Sequence, residues 1–89
     1  RDEKLYLKIS PVPASGIIKT EFGFRSENFA GMGIYDYTGR RVADIIEYKK
    51  FPAGLHEKQF DISGLSQGFY LLRLKTNLGS KTLPFTVVR

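Results

Sequence analysis

The sequence lacks several residues on which small domains often depend. It contains no cysteine, no tryptophan and a single histidine. Without cysteine, neither a disulfide nor a thiolate metal site can hold the chain together. His56 alone excludes a multi-histidine metal site, and any Ser-His-Asp arrangement would depend on this one residue. No apolar stretch approaches the roughly 20 residues of a membrane-spanning helix.

The positive charge is not concentrated in any part of the chain. The formal net charge is +5, but the lysines and arginines lie singly or in pairs along the whole length. A nucleic-acid binder is expected to cluster its basic residues on one face. We therefore interpret the charge as a solvated surface and predict no nucleic-acid partner, although a basic binder remains an alternative whose affinity would fall steeply with salt.

What is present is the pattern of a small β domain. The 89 residues, of which 42% are hydrophobic, leave room for one domain with one core, covering residues 1–89. Apolar residues alternate with polar ones at period two, and no long helical period appears. The alternation predicts seven strands, at 5–9, 18–24, 32–35, 41–48, 55–62, 69–76 and 83–87. We predict an all-β fold, a seven-stranded antiparallel immunoglobulin-like β-sandwich.

Individual residues refine this prediction. Pro84 cannot donate a ladder hydrogen bond, so the last strand is expected at a sheet edge. The strand Phe69 to Thr76 is the most apolar and should be central. The adjacent pair Ile45 and Ile46 breaks the alternation and indicates a bulge or a strand buried on both faces.

Candidate catalytic and metal-binding residues are few. His56 is expected to be a solvated residue at an exposed strand start. Asp36 and Asp61 precede glycine-containing turns and are expected to cap them, with calcium ligation as the alternative. The glycine-rich stretches 29–33 and 63–68 are followed by no predicted helix, which argues against phosphate binding. We predict no enzyme activity and no cofactor.

The aromatic residues allow one ligand hypothesis. Tyr6, Tyr35, Tyr37, Tyr48 and Phe51 could form a stacking surface for sugar rings or single-stranded nucleic acid. Many of the five tyrosines and seven phenylalanines must instead cover the core of so small a domain. A platform of this kind would belong to an accessory or carbohydrate-binding module of a secreted enzyme, which is the main alternative function.

Five segments together resemble a known family. They are Ile9-Ser-Pro-Val-Pro-Ala-Ser-Gly16, Ile18-Lys-Thr-Glu-Phe22, Ile34-Tyr-Asp-Tyr-Thr-Gly-Arg-Arg-Val42, Phe51-Pro-Ala-Gly-Leu-His56 and Phe60-Asp-Ile-Ser-Gly-Leu-Ser-Gln-Gly-Phe-Tyr70. In order and spacing they resemble the C-terminal sorting domain of the bacterial type IX (Por) secretion system, type A, which is related to the immunoglobulin-like module of hook-capping proteins. The sequence departs from the family at Val12, where asparagine is usual.

The resemblance implies a function in protein transport. It implies a non-catalytic module at the C-terminus of a larger cargo, exported through the periplasm and across the outer membrane of Bacteroidetes-type bacteria to the cell surface or medium. The implied partners are the translocon, a sortase-like peptidase that cuts ahead of the domain, and the cargo domain itself. The family positions that match here, taken as partner-recognition residues, are Gly68, Tyr70, Lys81, Thr82, Phe85, Val87, Val88 and Arg89.

The residues and the resemblance suggest one mechanism. The last strand carries Pro84 and ends at Arg89, which we expect to be the native terminus. If this strand lies at a sheet edge, it offers unpaired backbone groups to which a partner strand could bind. Gly68 to Arg89 would then form the docking element. Removal of Thr86 to Arg89 is expected to leave the cargo in the periplasm. Exposed edges would also allow an edge-strand dimer.

Overall fold

The computed structural model describes residues 5–89, and residues 1–4 of the predicted domain lie outside the described residues. All regular structure in the described part is β-strand. The strands are β1 (Tyr6–Ser10), β2 (Ile17–Phe24), β3 (Asn28–Asp36), β4 (Arg41–Phe51), β5 (Gly54–Asp61), β6 (Gly68–Thr76) and β7 (Gly79–Val87). They form two antiparallel sheets, with strand orders β1-β2-β5 and β4-β3-β6-β7. The prediction that β6 is central is confirmed, because it lies between β3 and β7.

The two sheets share one hydrophobic core. Alternate side chains of most strands point inward, and the fully buried ones include Ile18 and Phe22 of the smaller sheet and Ile34 and Leu72 of the larger one. Phe22 also meets Phe51 edge to face, with ring centroids 5.2 Å apart. The alternation of apolar and polar residues along the strands therefore reflects a single core between the two sheets.

Carboxylates cap two turns, as the sequence predicts. Asp36 Oδ1 accepts hydrogen bonds from the backbone N–H of Thr38 at 3.0 Å and of Arg40 at 3.1 Å, and from the Thr38 hydroxyl at 2.6 Å. Gly39 follows with a φ of +91°, which favours glycine. Asp61 Oδ1 accepts the N–H of Ser63 at 2.9 Å. Both carboxylates thus fix the start of a reversal.

The pair Ile45 and Ile46 lies in an irregular part of β4. Both side chains are buried, and the pairing of β3 with β4 changes register around them, so the predicted bulge is confirmed. The bulge brings the β4 backbone close to β3. A Cβ atom at Gly31 would lie 3.1 Å from Tyr48 Cα, which explains the glycine at this position.

The turn between β5 and β6 is closed by a tyrosine. The Tyr70 hydroxyl donates a 2.7 Å hydrogen bond to the carbonyl of Ser66, and Leu65 packs half-buried against the core, as predicted. A tyrosine at the start of this strand that bonds back to the preceding turn is the tyrosine corner of immunoglobulin-like sandwiches. The position of Tyr70 is therefore accounted for by the stability of the turn.

The prediction for His56 is wrong. Its ring is half-buried, with centroid distances of 5.4 Å to Phe22 and 5.1 Å to Phe51. Nε2 donates a 2.8 Å hydrogen bond to the Pro52 carbonyl. The flanking residues Leu55 and Glu57 are exposed, so the residues next to His56 in the sequence suggested an exposed side chain. The sequence did not reveal that the His56 ring packs against aromatic rings of other strands.

Candidate recognition edge on the last strand

The last strand lies at the edge of the larger sheet. β7 pairs antiparallel with β6 from Thr76 opposite Gly79 to Gly68 opposite Val87. In the described residues its other side carries only one isolated bridge, in which Val87 pairs parallel with Ala14. The edge position predicted from Pro84 is confirmed.

The hydrogen bonds at the end of β7 show which of its backbone groups point outward. The Thr86 carbonyl accepts a 2.8 Å bond from Ala14 N–H, and Val88 N–H donates one of 2.8 Å to the Ala14 carbonyl. Backbone groups alternate along a strand of an antiparallel pair. The N–H groups of Ser80 and Thr82 and the carbonyls of Ser80, Thr82 and Pro84 therefore also point away from β6. Pro84 lacks its N–H on this outward side, so no hydrogen bond between β6 and β7 is lost.

We call the stretch from Ser80 to Pro84 the open edge. Among residues 5–89, no backbone hydrogen bond reaches its outward groups. Its side chains at Ser80, Thr82 and Pro84 are exposed. They lie opposite Lys75, Arg73 and Leu71 of β6, respectively. The open edge thus combines free backbone groups with a row of basic and apolar neighbours.

The residues that follow the open edge are hydrogen-bonded to other parts of the chain. The Arg89 guanidinium donates hydrogen bonds to the carbonyls of Ser15 at 2.7 Å, of Ile62 at 2.7 Å, and of Leu65. Its backbone N–H donates to Gln67 Oε1 at 3.1 Å. Arg89 therefore joins the β1–β2 connection to the β5–β6 turn and holds the end of β7 in place.

Arg89 also contributes to the electrostatics of this end of the molecule. The pKa of Asp61 is lowered from its ordinary value, first by the backbone N–H of Ser63, next by the Ser63 hydroxyl, and then by the positive charge of Arg89. The carboxylate form of Asp61 is thus favoured in the folded chain. The turn between β5 and β6 is therefore stabilised by two side chains, because Asp61 accepts the Ser63 N–H and Arg89 donates to the carbonyls of Ile62 and Leu65.

The predicted recognition residues divide into two groups by burial. Tyr70, Phe85 and Val87 have exposed fractions of 8%, 2% and 0%, and the rings of Tyr70 and Phe85 stack with centroids 5.8 Å apart. These three side chains cannot meet a partner in the folded domain. Gly68 is half-buried, with a φ of +154° at the start of β6, whereas Lys81, Thr82, Val88 and Arg89 are exposed.

The predicted docking element from Gly68 to Arg89 includes Ser80, Arg73 and Lys75, but the sequence did not single out these three residues. Serine and single basic residues carry no motif, and only the strand register shows that they share one face with Thr82 and Pro84. The predicted aromatic surface is also divided. Tyr35 and Tyr48 lie together on the outer face of the larger sheet, whereas Tyr6 lies on the smaller sheet, Tyr37 on a turn, and Phe51 against the core.

Residues 5–89 offer neither a metal site nor a membrane-spanning helix. No three His, Asp or Glu side chains come together in a way that could hold a metal ion. No helix in the same residues has the length and apolarity needed to cross a membrane.

The chain matches one family of known proteins over almost its whole length. The family model described as secretion system C-terminal sorting domain matches residues 8–88. The chain belongs to this family. No curated protein matches it. A sorting domain of this type is a signal for type IX secretion and implies interaction with that machinery and export across the outer membrane to the cell surface or medium. Sorting domains are in general non-catalytic.

Proposed function

We propose that this sorting domain is recognised through the open edge of β7, where a strand of the secretion machinery adds to the sheet. The observation that carries the proposal is the row of outward N–H and carbonyl groups at Ser80 and Thr82, on a strand whose other side is fully paired. Strand addition uses such groups for affinity and alternate side chains for selectivity. Exposed Thr82 and the neighbouring Lys81 would contribute to selectivity.

The predicted residues then take different roles. Tyr70, Phe85 and Val87 are buried and would act by holding β6 and β7 in shape. Gly68 would permit the backbone conformation that starts β6. Val88 and Arg89 would fix the end of β7 through their bonds to Ala14 and to the two connections. Recognition would depend on all eight residues, although only Lys81 and Thr82 of the open edge would touch the partner.

The proposal includes the wider context of the domain. Residues 1–89 would form one immunoglobulin-like domain, as the two sheets and the tyrosine corner at Tyr70 suggest. A cargo domain would precede it in the same polypeptide, and a sortase-like peptidase would cut between the two. The domain would have no catalytic activity of its own. A free open edge would also allow two copies to pair when no secretion partner is present.

The test removes one outward backbone donor without disturbing the ladder to β6. Thr82→Pro deletes the N–H of residue 82, and Pro84 shows that β7 accepts proline at this register. The full chain, fused behind a signal peptide and a reporter, is expressed in a bacterium with type IX secretion. We expect the Thr82→Pro reporter to accumulate in the periplasm, and the control Thr86→Ala, an exposed position outside the open edge and outside the eight predicted residues, to be exported.

Two further measurements keep this test decisive. The purified Thr82→Pro chain must retain its thermal unfolding transition, and Ser80→Pro provides a second outward position if it does not. Normal export of folded Thr82→Pro and Ser80→Pro chains would refute strand addition. Truncation of Thr86 to Arg89 is a weaker test, because it also removes the buried Val87 and the Arg89 bonds.

A further inference from the structure

The outer face of the larger sheet contains a trough that lies beside the open edge and shares Arg73 and Lys75 with it. Its volume is about 530 Å³, within the range of clefts that hold small ligands. Gly31 and Gly33 of β3 form its floor. Lys75 and Arg73 of β6 lie opposite these glycines on one side, and the bulged part of β4 borders the other.

Polar groups converge at one level of the trough. Gly33 pairs with Arg73 on one neighbouring strand and with Asp44 on the other. A Cβ atom at Gly33 would lie 3.7 Å from Asp44 Oδ1 and 3.6 Å from Tyr35 Cε1. Neighbouring strands are about 4.8 Å apart, so the carboxylate and the guanidinium are carried by strands roughly 10 Å apart, with Gly33 and the edge of the Tyr35 ring between them.

The groups on the β4 side are held before any ligand arrives. Arg41 Nη1 donates a 2.9 Å hydrogen bond to Asp44 Oδ1, and the Arg41 guanidinium lies 5.8 Å from the centre of the Tyr35 ring. The second carboxylate oxygen of Asp44 remains available as an acceptor. A site whose polar groups are already positioned loses less entropy on binding.

An aromatic pair borders the trough near Gly31. Tyr48 stacks on Phe29, with ring centroids 5.7 Å apart and an interplanar angle of 22°. The exposed fractions of Tyr48 and Phe29 are 49% and 42%, so both rings offer surface to the outside. The trough therefore has aromatic surface near Gly31 and at Tyr35, and paired acceptors and donors between them.

We propose that this trough is a binding site for a short, neutral oligosaccharide. A sugar ring has a C–H face that suits an aromatic ring and hydroxyls around its edge that suit a carboxylate and a guanidinium at the same time. Charges of both signs line the trough, Asp44 and Glu47 beside Arg41, Arg73 and Lys75, and a neutral ligand with donors and acceptors suits both. Single-stranded nucleic acid is tested as the competing ligand. This inference goes beyond the sorting function and does not depend on strand addition at the open edge.

The experiment follows backbone amide signals of the full ¹⁵N-labelled chain by NMR. The probes are tetrasaccharides of β1,4-linked glucose, mannose and N-acetylglucosamine, each added at millimolar concentration, with a thymidine dodecanucleotide as the nucleic-acid probe. We expect one tetrasaccharide to shift the Gly31 and Gly33 amides in a saturable way. Asp44→Asn and Arg73→Gln should each weaken that binding by about tenfold or more.

The control is Lys19→Gln, which changes an exposed charge on the smaller sheet and should bind as the unmodified chain does. The spectrum itself shows whether each variant is folded. The inference is overturned if no tetrasaccharide shifts the two glycine amides, if Asp44→Asn and Arg73→Gln bind as tightly as the control, or if only the oligonucleotide binds.

Discussion

The two halves of β7 differ in almost every property. From Ser80 to Pro84 the strand is paired on one side only, and its outward side chains are exposed. From Phe85 onward, Phe85 and Val87 fill the core, Ala14 covers the outward side, and Arg89 bonds to three carbonyls. One strand thus combines an accessible edge with an anchored end.

This difference separates residues that stabilise the folded strand from residues that are accessible to a partner. The second half contains Phe85 and Val87, and Arg89 follows it; all three are positions that match the family. Their side chains are occupied within the domain. The first half contains Ser80, which carries no motif, and the family-matched Thr82, and it offers the free backbone groups. Loss of export after a mutation therefore has two distinct physical causes, unfolding and loss of contact.

The largest effect is expected from the core of the second half. Phe85→Ala removes a ring that is 2% exposed and stacked on Tyr70. Truncation of a buried phenylalanine costs about 3–5 kcal/mol in the free energy of unfolding, a large fraction of the roughly 5–15 kcal/mol that typically stabilises a domain. Urea denaturation measures the loss.

The matched control for Phe85→Ala is Thr86→Ala, one residue further along and exposed. We expect it to change the free energy of unfolding by less than about 0.5 kcal/mol. Equal stability of the two variants would show that the Phe85 side chain does not contribute more to the core than the exposed Thr86 side chain does.

A smaller effect is expected from the anchor at Arg89. Arg89→Ala removes charged hydrogen bonds to the carbonyls of Ser15, Ile62 and Leu65. Charged bonds are typically worth about 1.5–3 kcal/mol, but Arg89 is exposed, so we expect a net loss of roughly 1–2 kcal/mol. In a domain of this size the melting temperature would fall by roughly 4–8 °C per kcal/mol.

Arg73→Ala is the control for the anchor. Arg73 lies on the outer face opposite Thr82, and the hydrogen bond from its Nη2 to Ser80 Oγ is long, at 3.4 Å. Its removal should leave the melting temperature almost unchanged. An equal loss of stability in Arg73→Ala and Arg89→Ala would show that Arg89 is an ordinary surface residue and that the end of β7 is not fastened.

The sequence predicts the strands well because their main determinant is local. Period-two alternation predicted all seven strands, although β3 and β7 begin at Asn28 and Gly79, earlier than the predicted positions 32 and 83, and Pro84 indicated the edge position of β7. Asp36 and Asp61 were correctly assigned to turns, since a carboxylate next to a glycine turn bonds within a few residues. These features depend on neighbours in the chain, which a sequence displays.

Features that depend on distant residues were not visible in the sequence. His56 joins Phe22 and Phe51 only through the pairing of β2 with β5 and the approach of the two sheets. The cover of β7 by Ala14 brings together residues more than seventy positions apart. The trough at Gly33 likewise needs the register of three strands. Tertiary pairing, rather than residue type, determines both candidate surfaces.

The smallest effect tests whether Arg89 reaches across to the Asp61 turn. In the unmodified chain the pKa of Asp61 is lowered mainly by the Ser63 N–H, and the Arg89 charge adds to this. We expect Arg89→Ala to raise the Asp61 pKa slightly while leaving it below its ordinary value of about 3.9. Carboxyl-detected NMR titration measures it, and Asp36, whose pKa is lowered first by the Thr38 hydroxyl, is the internal reference.

The same shift determines how stability depends on pH. Because the folded pKa of Asp61 lies below its unfolded value, its contribution is complete above about pH 3.9 and is lost as the pH falls through the folded pKa. Asp61→Asn should therefore be less stable than the unmodified chain at neutral pH, and the gap should narrow under acid conditions. A constant gap across this range would mean that the Asp61 carboxylate does not favour the folded state, and that Ser63 and Arg89 hold the turn without it.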